Sequence, residues 1–526
     1  MKLARPYIVP AVTHIVNPSL TILTFPKAYK VAKVVPLYKG KDSSVTAPKS
    51  YSPVALFQIT SKVLERVVHT QLMSYIDGNQ LWHPQHHAYR YQHSTTTAML
   101  RMHDSWVEAA ENGKIMGMAM VDMSAAFNVI DIDLLLKKCH IFNFSREAEQ
   151  WMWLYWTERS QCTSISGRTY SILPQLAGVP QGSILGPALY TLFTSDFPEV
   201  VHEADCPHSP ENRPQGEQVF YRTMCTECGG LVCYADDSTY TVTADSEAEL
   251  SYKMSNKFQT MSQYLTQNRL CINTDKTHIM VLCTEQRRRH IDTSAVSLST
   301  GSEVILPTPE EFLLGVQVHQ NLGFASNIFN GRSSVVSSLS TRIGALKRVS
   351  KVSSFKTRLS VCSSLVISRI LYVLPLYGGA PNYMITALQQ KMNEAMRIVT
   401  KRKWEVRGRR LTSTSELLSQ CGLLSVKQMI YFHSVAAVHK LLVHRAPQYL
   451  HQVVTKALAS GVHHRYPTRN ADGRAVTQAH LSVANTSFRW RAATQYAALP
   501  QAIQREGSLP RFLVALRTHT RSHVAI

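Results

Sequence analysis

Acidic residues are scarce in this chain of 526 residues: 35 Asp and Glu stand against 56 Lys and Arg, for a formal charge of +21. An imbalance of that size says little about fold but favours a polyanionic partner, nucleic acid or an anionic surface. Cysteine is sparse too. The ten present have no framework spacing, which excludes a disulfide-stapled scaffold and points to a reducing, intracellular location. No apolar run is long enough to span a membrane. The most apolar later stretch, Val361 to Tyr377, is cut by Arg369 and Pro375 and reads as a buried helix. The opening MKLARPYIVPAVTHIV carries two prolines and no cleavage pattern, which argues against a signal peptide. Internal repeats are absent as well. The 44% hydrophobic content is ordinary for a globular protein, and the length suits two or three domains.

The positive charge is concentrated. From Arg342 to Arg410 there are fifteen Lys or Arg and two acids, Glu394 and Glu405. Residues 20–60 read as short extended segments broken by prolines, with VAKVVPLYKGKD turning at Lys39–Asp42. Helical spacing marks residues 60–79, Ser94–Asn112 and Ser246–Asn268, with further helices after Asp131 and Gln181. IMGMAMVD is a buried strand closed by an aspartate, and LVCYADDSTYTVTA reads as two strands joined at Asp236–Asp237. The short strands IMVLC and FLLGVQV follow, and past about residue 330 the pattern turns helical and basic. Residues 455–526, with weak periodicity and many Ala, Arg and His, carry no assignment.

Three aspartates carry the chemistry. A carboxylate ending a buried strand is costly unless it is hydrogen-bonded or binds a metal. Two adjacent carboxylates in one turn repel unless a cation makes use of them. Either motif alone is ordinary, because Asp-Asp is common in turns and Asp before Ser-Ala-Ala can cap a helix. Brought together, Asp122, Asp236 and Asp237 form a hard-oxygen set suited to Mg²⁺, or Mn²⁺ in its place. Two such ions about 3.5–4 Å apart support in-line phosphoryl displacement.

VDMSAAF, GVPQGSILGPALYTLFTSDFP, CYADD and NRLCINTDKTHIMV resemble, in that order, motifs A to D of reverse transcriptases, and most of all those of non-LTR retrotransposons. FLLGVQV resembles motif E. KAYKVAKVVPLYKGKD, YSPVALFQITSKVLERVV and HPQHHAYRYQHSTTTAML resemble the finger-region blocks. The resemblance implies an α+β right-hand polymerase: fingers over 1–115, a palm with an antiparallel sheet over 116–320, a basic helical thumb over 321–450, and a C-terminal region, 451–526, of unknown role. It makes Asp122, Asp236 and Asp237 the metal ligands, with the Met123 carbonyl nearby. Phe127 becomes the gate under the incoming sugar that disfavours RNA synthesis. Gly178, Gln181 and Gly182 shape the surface for nucleotide and template, since glycine permits close backbone approach and Gln offers donor and acceptor. Tyr234 and Ala235 flank the primer end, Lys276 serves the departing pyrophosphate, and Lys39 and Lys41 grip the triphosphate.

The chain departs from the family pattern in two places. Ser52 stands where an arginine is usual, and Asn128 where a further Asp is frequent. The stretch 199–230 is longer than usual, and its Cys206, His208, Cys225 and Cys228 have the composition of a four-ligand Zn²⁺ site. The expectation is therefore an RNA-directed DNA polymerase acting on an RNA template, a DNA primer or target, and deoxynucleoside triphosphates. It is retrotransposon-derived, without an endonuclease domain, without a membrane, and working as a ribonucleoprotein in nucleus or cytoplasm. The alternative is a nucleic-acid-binding relic that has lost turnover, to which the Ser52 departure lends weight.

Overall fold

Two four-stranded sheets organise the chain in the computed structural model. It describes residues 5–40, 44–123, 126–175, 177–179, 182–200, 230–301, 303–331, 333–402, 405–406, 409–410, 412–459 and 487–525. The strands that matter are β1 (Val31–Tyr38), β2 (Tyr51–Leu56), β3 (Ile115–Met123), β4 (Ser160–Ile165), β5 (Arg168–Pro174), β6 (Leu231–Tyr234), β7 (Asp237–Ala244) and β8 (Ile272–Leu282). One sheet has the order β2-β1-β4-β5 and the other β6-β7-β3-β8.

The chain divides into two compact units that do not follow chain order. The first comprises Met1–Tyr89, Val121–Thr239 and Asn256–Thr277; the second comprises Arg90–Met120, Tyr240–Ser255 and His278–Ile526. The ranges 1–115 and 116–320 read from the sequence are thus each shared between both.

In the first unit, β1 pairs antiparallel with β2, from Lys33 opposite Leu56 to Tyr38 opposite Tyr51, and parallel with β4. The Lys39 N–H donates to Ser50 O at 2.9 Å, closing the hairpin where the sequence calls for a turn. Helix Ile59–Gly78 follows, buried through Leu64, Leu72 and Ile76. Phe25, Trp151 and Tyr155 form an aromatic cluster with ring centroids 5.2–5.7 Å apart. Edge-to-face and offset contacts of this kind add to what burial alone contributes. Helix Ile132–Ile141 starts where Asp131 Oδ1 accepts the Leu134 N–H at 2.9 Å, the N-cap arrangement that orphaned helical donors require.

In the second unit, helix Thr95–Glu111 opens with a reciprocal capping box between Ser94 and Thr97 and is buried along most of its length. Gly117 admits a helix that any larger residue would exclude: a Cβ there would lie 2.3 Å from Met254 Sδ, on helix Glu247–Gln267. FLLGVQV forms a hairpin, Glu310–Leu313 against Val316–His319. Its two-residue turn has both Leu314 (φ 47°) and Gly315 (φ 75°) left-handed, as a tight turn matching strand twist demands.

The stretch Val361–Tyr377 is buried along one side, with Ser363, Ser364 and Ser368 exposed, and is not one helix. It runs through Phe355–Cys362, a π turn Ser363–Ile367, Ser368–Leu371 and a 3₁₀ turn Leu374–Gly379. The break falls at Val373, left-handed at φ 49°, just before Pro375, whose missing N–H cannot continue an α-helix. No single described helix is long and apolar enough to cross a membrane. Helices Phe488–Ala497 and Leu509–His523, in the stretch the sequence left unassigned, pack on Val426–His444 within this unit.

Candidate active site

The first carboxylate arrives on β3. IMGMAMVDM is buried on both faces for most of its length, as a strand without polar alternation must be. Asp122, one residue from its end, keeps 22% of its side chain exposed. Its Oδ2 accepts from Lys276 Nζ at 2.9 Å and from Asn273 Nδ2 at 3.3 Å. Both donors lie near the start of β8, where Thr277 Oγ1 donates to Asn273 O at 2.9 Å. In a straight strand those positions would be about 13 Å apart, so the chain is folded back there. That fold lets Asn273 and Lys276 reach one oxygen.

The second and third carboxylates sit on the connection between β6 and β7. Only Ala235 and Asp236 separate the two strands, so the pair is antiparallel and tightly turned, with Ala235 left-handed at φ 57°. A non-glycine residue in that region is uncommon and persists where the surrounding structure holds it. Burial at the turn, then the charges of Asp236 and Asp122, push Asp237 up to about 6. Asp236 is raised by burial and by Asp122, while Lys276 pulls both the other way. Asp122 and an acid pair more than a hundred residues further along the chain thus crowd one spot. Asp122, Asp236, Asp237 and Lys276 are brought together.

Phe127, half-buried in the 3₁₀ turn Ala126–Asn128, lies against Tyr190 with centroids 4.5 Å apart. The Tyr190 hydroxyl donates to Met123 Sδ at 3.2 Å. Burial holds that phenol well above its ordinary range, with Cys233, Asp236, Tyr89 and Asp237 adding to the effect. Tyr190 therefore backs Phe127 and Met123 within electrostatic reach of the acids, a position its place inside an apolar helix gives no sign of.

Gly178 serves the turn that carries Phe127. It is left-handed (φ 79°), a Cβ would fall 2.3 Å from Asn128 C and O, and its N–H donates to Ile130 O at 3.1 Å. Trp156 Nε1 donates to its carbonyl at 2.8 Å. Gly182 (φ 108°) presses on β2, since a Cβ there would sit 2.8 Å from Ala55 O. Glu65, fully buried on helix Ile59–Gly78, accepts the Ile184 N–H at 2.6 Å and so fixes the entry to helix Gly186–Phe193. Burial raises its carboxyl, and the Ile184 N–H opposes that. Nothing local in the sequence marks Glu65, because its partner lies 119 residues away.

Tyr234 and Ala235 stand at the turn itself, and Lys39 is exposed where β1 ends. Ser52 is half-buried on β2 opposite Leu37. Lys41, Gln181, Cys206, His208, Cys225 and Cys228 lie outside the described residues.

The donor set suits a hard divalent cation: oxygen ligands only, crowded enough to raise two of them. Among the described residues no three His, Cys, Asp or Glu side chains close into a ready ligand cluster. An open arrangement is compatible with Mg²⁺, which usually takes one or two carboxylates together with waters and substrate phosphates. The described cysteines are all free thiols.

Residues 39–318 match the family model described as Reverse transcriptase (RNA-dependent DNA polymerase). The chain is 26% identical over 402 residues to the RNA-directed DNA polymerase from mobile element jockey of Drosophila melanogaster, covering 75% of this chain and 40% of that protein. It is 23% identical over 404 residues to the probable RNA-directed DNA polymerase from transposon X-element of the same organism, with the same two coverages. The chain thus spans about 40% of the length of these curated relatives. Among solved structures, telomerase from Candida tropicalis in complex with a fragment of telomeric RNA aligns over 96% of this chain and 65% of its own, at 10% identity. Its TM-score of 0.38 is too low to add to the family match.

Proposed function

Because this chain belongs to the reverse transcriptase (RNA-dependent DNA polymerase) family, we propose that it extends a primer 3′-OH on an RNA template with deoxynucleoside triphosphates. The observation that carries the reading is the gathering of Asp122, Asp236 and Asp237 around one turn, with Lys276 bonded to the first. The family uses divalent metal ions, and Asp122, Asp236 and Asp237 are the residues to hold them. Bound there, such ions acidify the attacking hydroxyl and neutralise charge on the phosphates.

The chain's own groups divide the remaining work. Phe127, seated on Tyr190, walls the space beneath the incoming sugar and leaves no room for a 2′-hydroxyl. Gly178 and Glu65 act at one remove: the first fixes the Phe127 turn, the second the loop entering helix Gly186–Phe193. The Lys276 ammonium, 2.9 Å from Asp122, is the group we assign to give a proton to the leaving pyrophosphate. Retrotransposon origin, with the product working as an intracellular ribonucleoprotein, is part of the same proposal.

The test is primer extension by purified protein with Mg²⁺ on RNA and DNA templates. Wild type should add deoxynucleotides on RNA, and the double variant Asp236→Ala, Asp237→Ala should add none while still binding the duplex. Wild-type protein that binds primer–template but extends it on neither template would mean a relic, and the proposal fails.

A further inference from the structure

A half-exposed tyrosine stands beside the carboxylates, and the mechanism above makes no use of it. Gln85 to His87 run along β6. The His87 N–H donates to Cys233 O at 2.9 Å and the Cys233 N–H to Gln85 O at 3.0 Å, a parallel bridge with His86 opposite Cys233. The His86 ring is bonded to Thr194 O at 2.9 Å, so backbone and side chain both fix the segment. The bridge brings this segment to the end of β6, with Tyr89 three residues past His86 and Asp236 three residues past Cys233. Ala88 is buried, and Tyr89 is 48% exposed. Burial, then the charges of Asp236 and Tyr234, raise the Tyr89 phenol, in keeping with a place beside that turn.

Two further facts set Tyr89 apart from a surface aromatic. Its backbone is left-handed at φ 58°, a conformation that disfavours bulky residues and persists where the surroundings impose it. It also stands within the electrostatic reach of Asp236, a carboxylate that repels phosphate. An aromatic face beside a carboxylate pair can hold a nucleoside through base and sugar, without regard to sequence. Phe127 comes from the end of β3 and faces the incoming nucleotide. Tyr89 comes from the β6 side, next to Tyr234.

We propose that Tyr89 is the contact for the primer's terminal nucleoside, its ring packing on the sugar and base whose 3′-OH is presented to Asp236 and Asp237. The proposal rests on the polymerase reading above.

Fluorescence anisotropy with a labelled primer–template duplex and no nucleotide tests it without turnover. Tyr89→Ala should weaken duplex binding about tenfold, the scale of one lost base stack, and raise the primer KM in extension to match. Tyr89→Phe and Tyr89→Trp should stay within about twofold of wild type, and the nucleotide KM should not move. Tyr89→Gly, which accepts φ 58° without strain, should lose binding as Ala does while melting no lower than wild type. Three results overturn the proposal: Tyr89→Ala binding duplex as wild type does; a raised nucleotide KM with primer affinity intact, which assigns the ring to the incoming nucleotide; or Tyr89→Phe losing as much as Ala with a lower melting temperature, which marks a packing role. If wild type shows the Tyr89-dependent binding yet never extends, the polymerase reading fails and the contact stands.

Discussion

Asp237 and Asp104 are both carboxylates pushed up to about 6, and burial is the first cause for each. What surrounds them differs. Asp104, on helix Thr95–Glu111, is fully buried, and its Oδ1 accepts from Ser487 Oγ and from the Phe488 N–H, both at 2.9 Å. It therefore caps the start of helix Phe488–Ala497 with a carboxylate from another helix. Arg489, one residue on, bonds Glu108 and Glu111 of that same helix. Asp237 retains an exposed edge and has two more acids for neighbours. A structural carboxylate is answered by donors within the chain. Asp237 is left crowded by its own sign, as the role proposed for it, holding a cation, requires.

The sharpest way to break this comparison is to neutralise each acid in turn. Asp237→Asn should cut extension on the order of a thousandfold, the scale of several kcal/mol of lost charge stabilisation, and should not lower the melting temperature of metal-free protein. Asp104→Leu should do the reverse. It strands two buried donors and costs about 3 kcal/mol in denaturant unfolding, while extension at 20 °C stays within about threefold. If Asp237→Asn destabilises as much as Asp104→Leu, the two carboxylates are the same kind of group and the distinction collapses.

A smaller effect tests whether the site's precision comes from backbone contact. Gly178→Ala places a methyl 2.3 Å from the Asn128 backbone at φ 79°, so the Phe127 turn must move. Extension should fall roughly tenfold, and discrimination against ribonucleotides should fall with it, as measured by competing the two substrates. Slower extension with unchanged discrimination would detach Gly178 from Phe127.

How much of this was legible in the residues depends on range. Asp122 announced itself by closing an apolar run, and the Asp236–Asp237 turn by lying between two. The helices Ile59–Gly78, Thr95–Glu111 and Glu247–Gln267 follow local periodicity closely, and the second opens on the cap its Ser94 supplies. Lys276 was singled out only through resemblance, and its bond to Asp122 was not foreseen, since the side chains are 154 residues apart. Glu65, Tyr190 and Tyr89 were missed for a physical reason: a buried Glu, a Tyr in an apolar helix and a loop Tyr look like anything else until the partner strand is in place. The C-terminal helices were hidden differently. They are short and separated by Pro500 and Pro510, and the first of them is capped by Asp104 from nearly four hundred residues upstream.

The pH dependence of stability is the most discriminating test of Asp104. A carboxyl raised from an ordinary 3.8 to about 6 keeps its proton in the folded chain where the unfolded chain has lost it. Folded protein then binds more protons between about pH 4 and 6, so this group's contribution to stability falls as pH rises through that interval and the loss is complete above it. Its neighbour His103, fully buried, is lowered by burial and then by Arg491, from 6.5 to about 4. There the unfolded chain binds the extra proton, so the His103 contribution rises with pH between about 4 and 6.5. The two slopes oppose, each on the order of 2–3 kcal/mol at full extent, and leave wild type with little net dependence from this pair. Chemical unfolding across pH 4–7 without divalent ions should therefore show Asp104→Asn gaining stability relative to wild type as pH rises, and His103→Gln losing it. Two variants drifting in the same direction would mean that the acid is not the one titrating, and the parallel with Asp237 would rest on geometry alone.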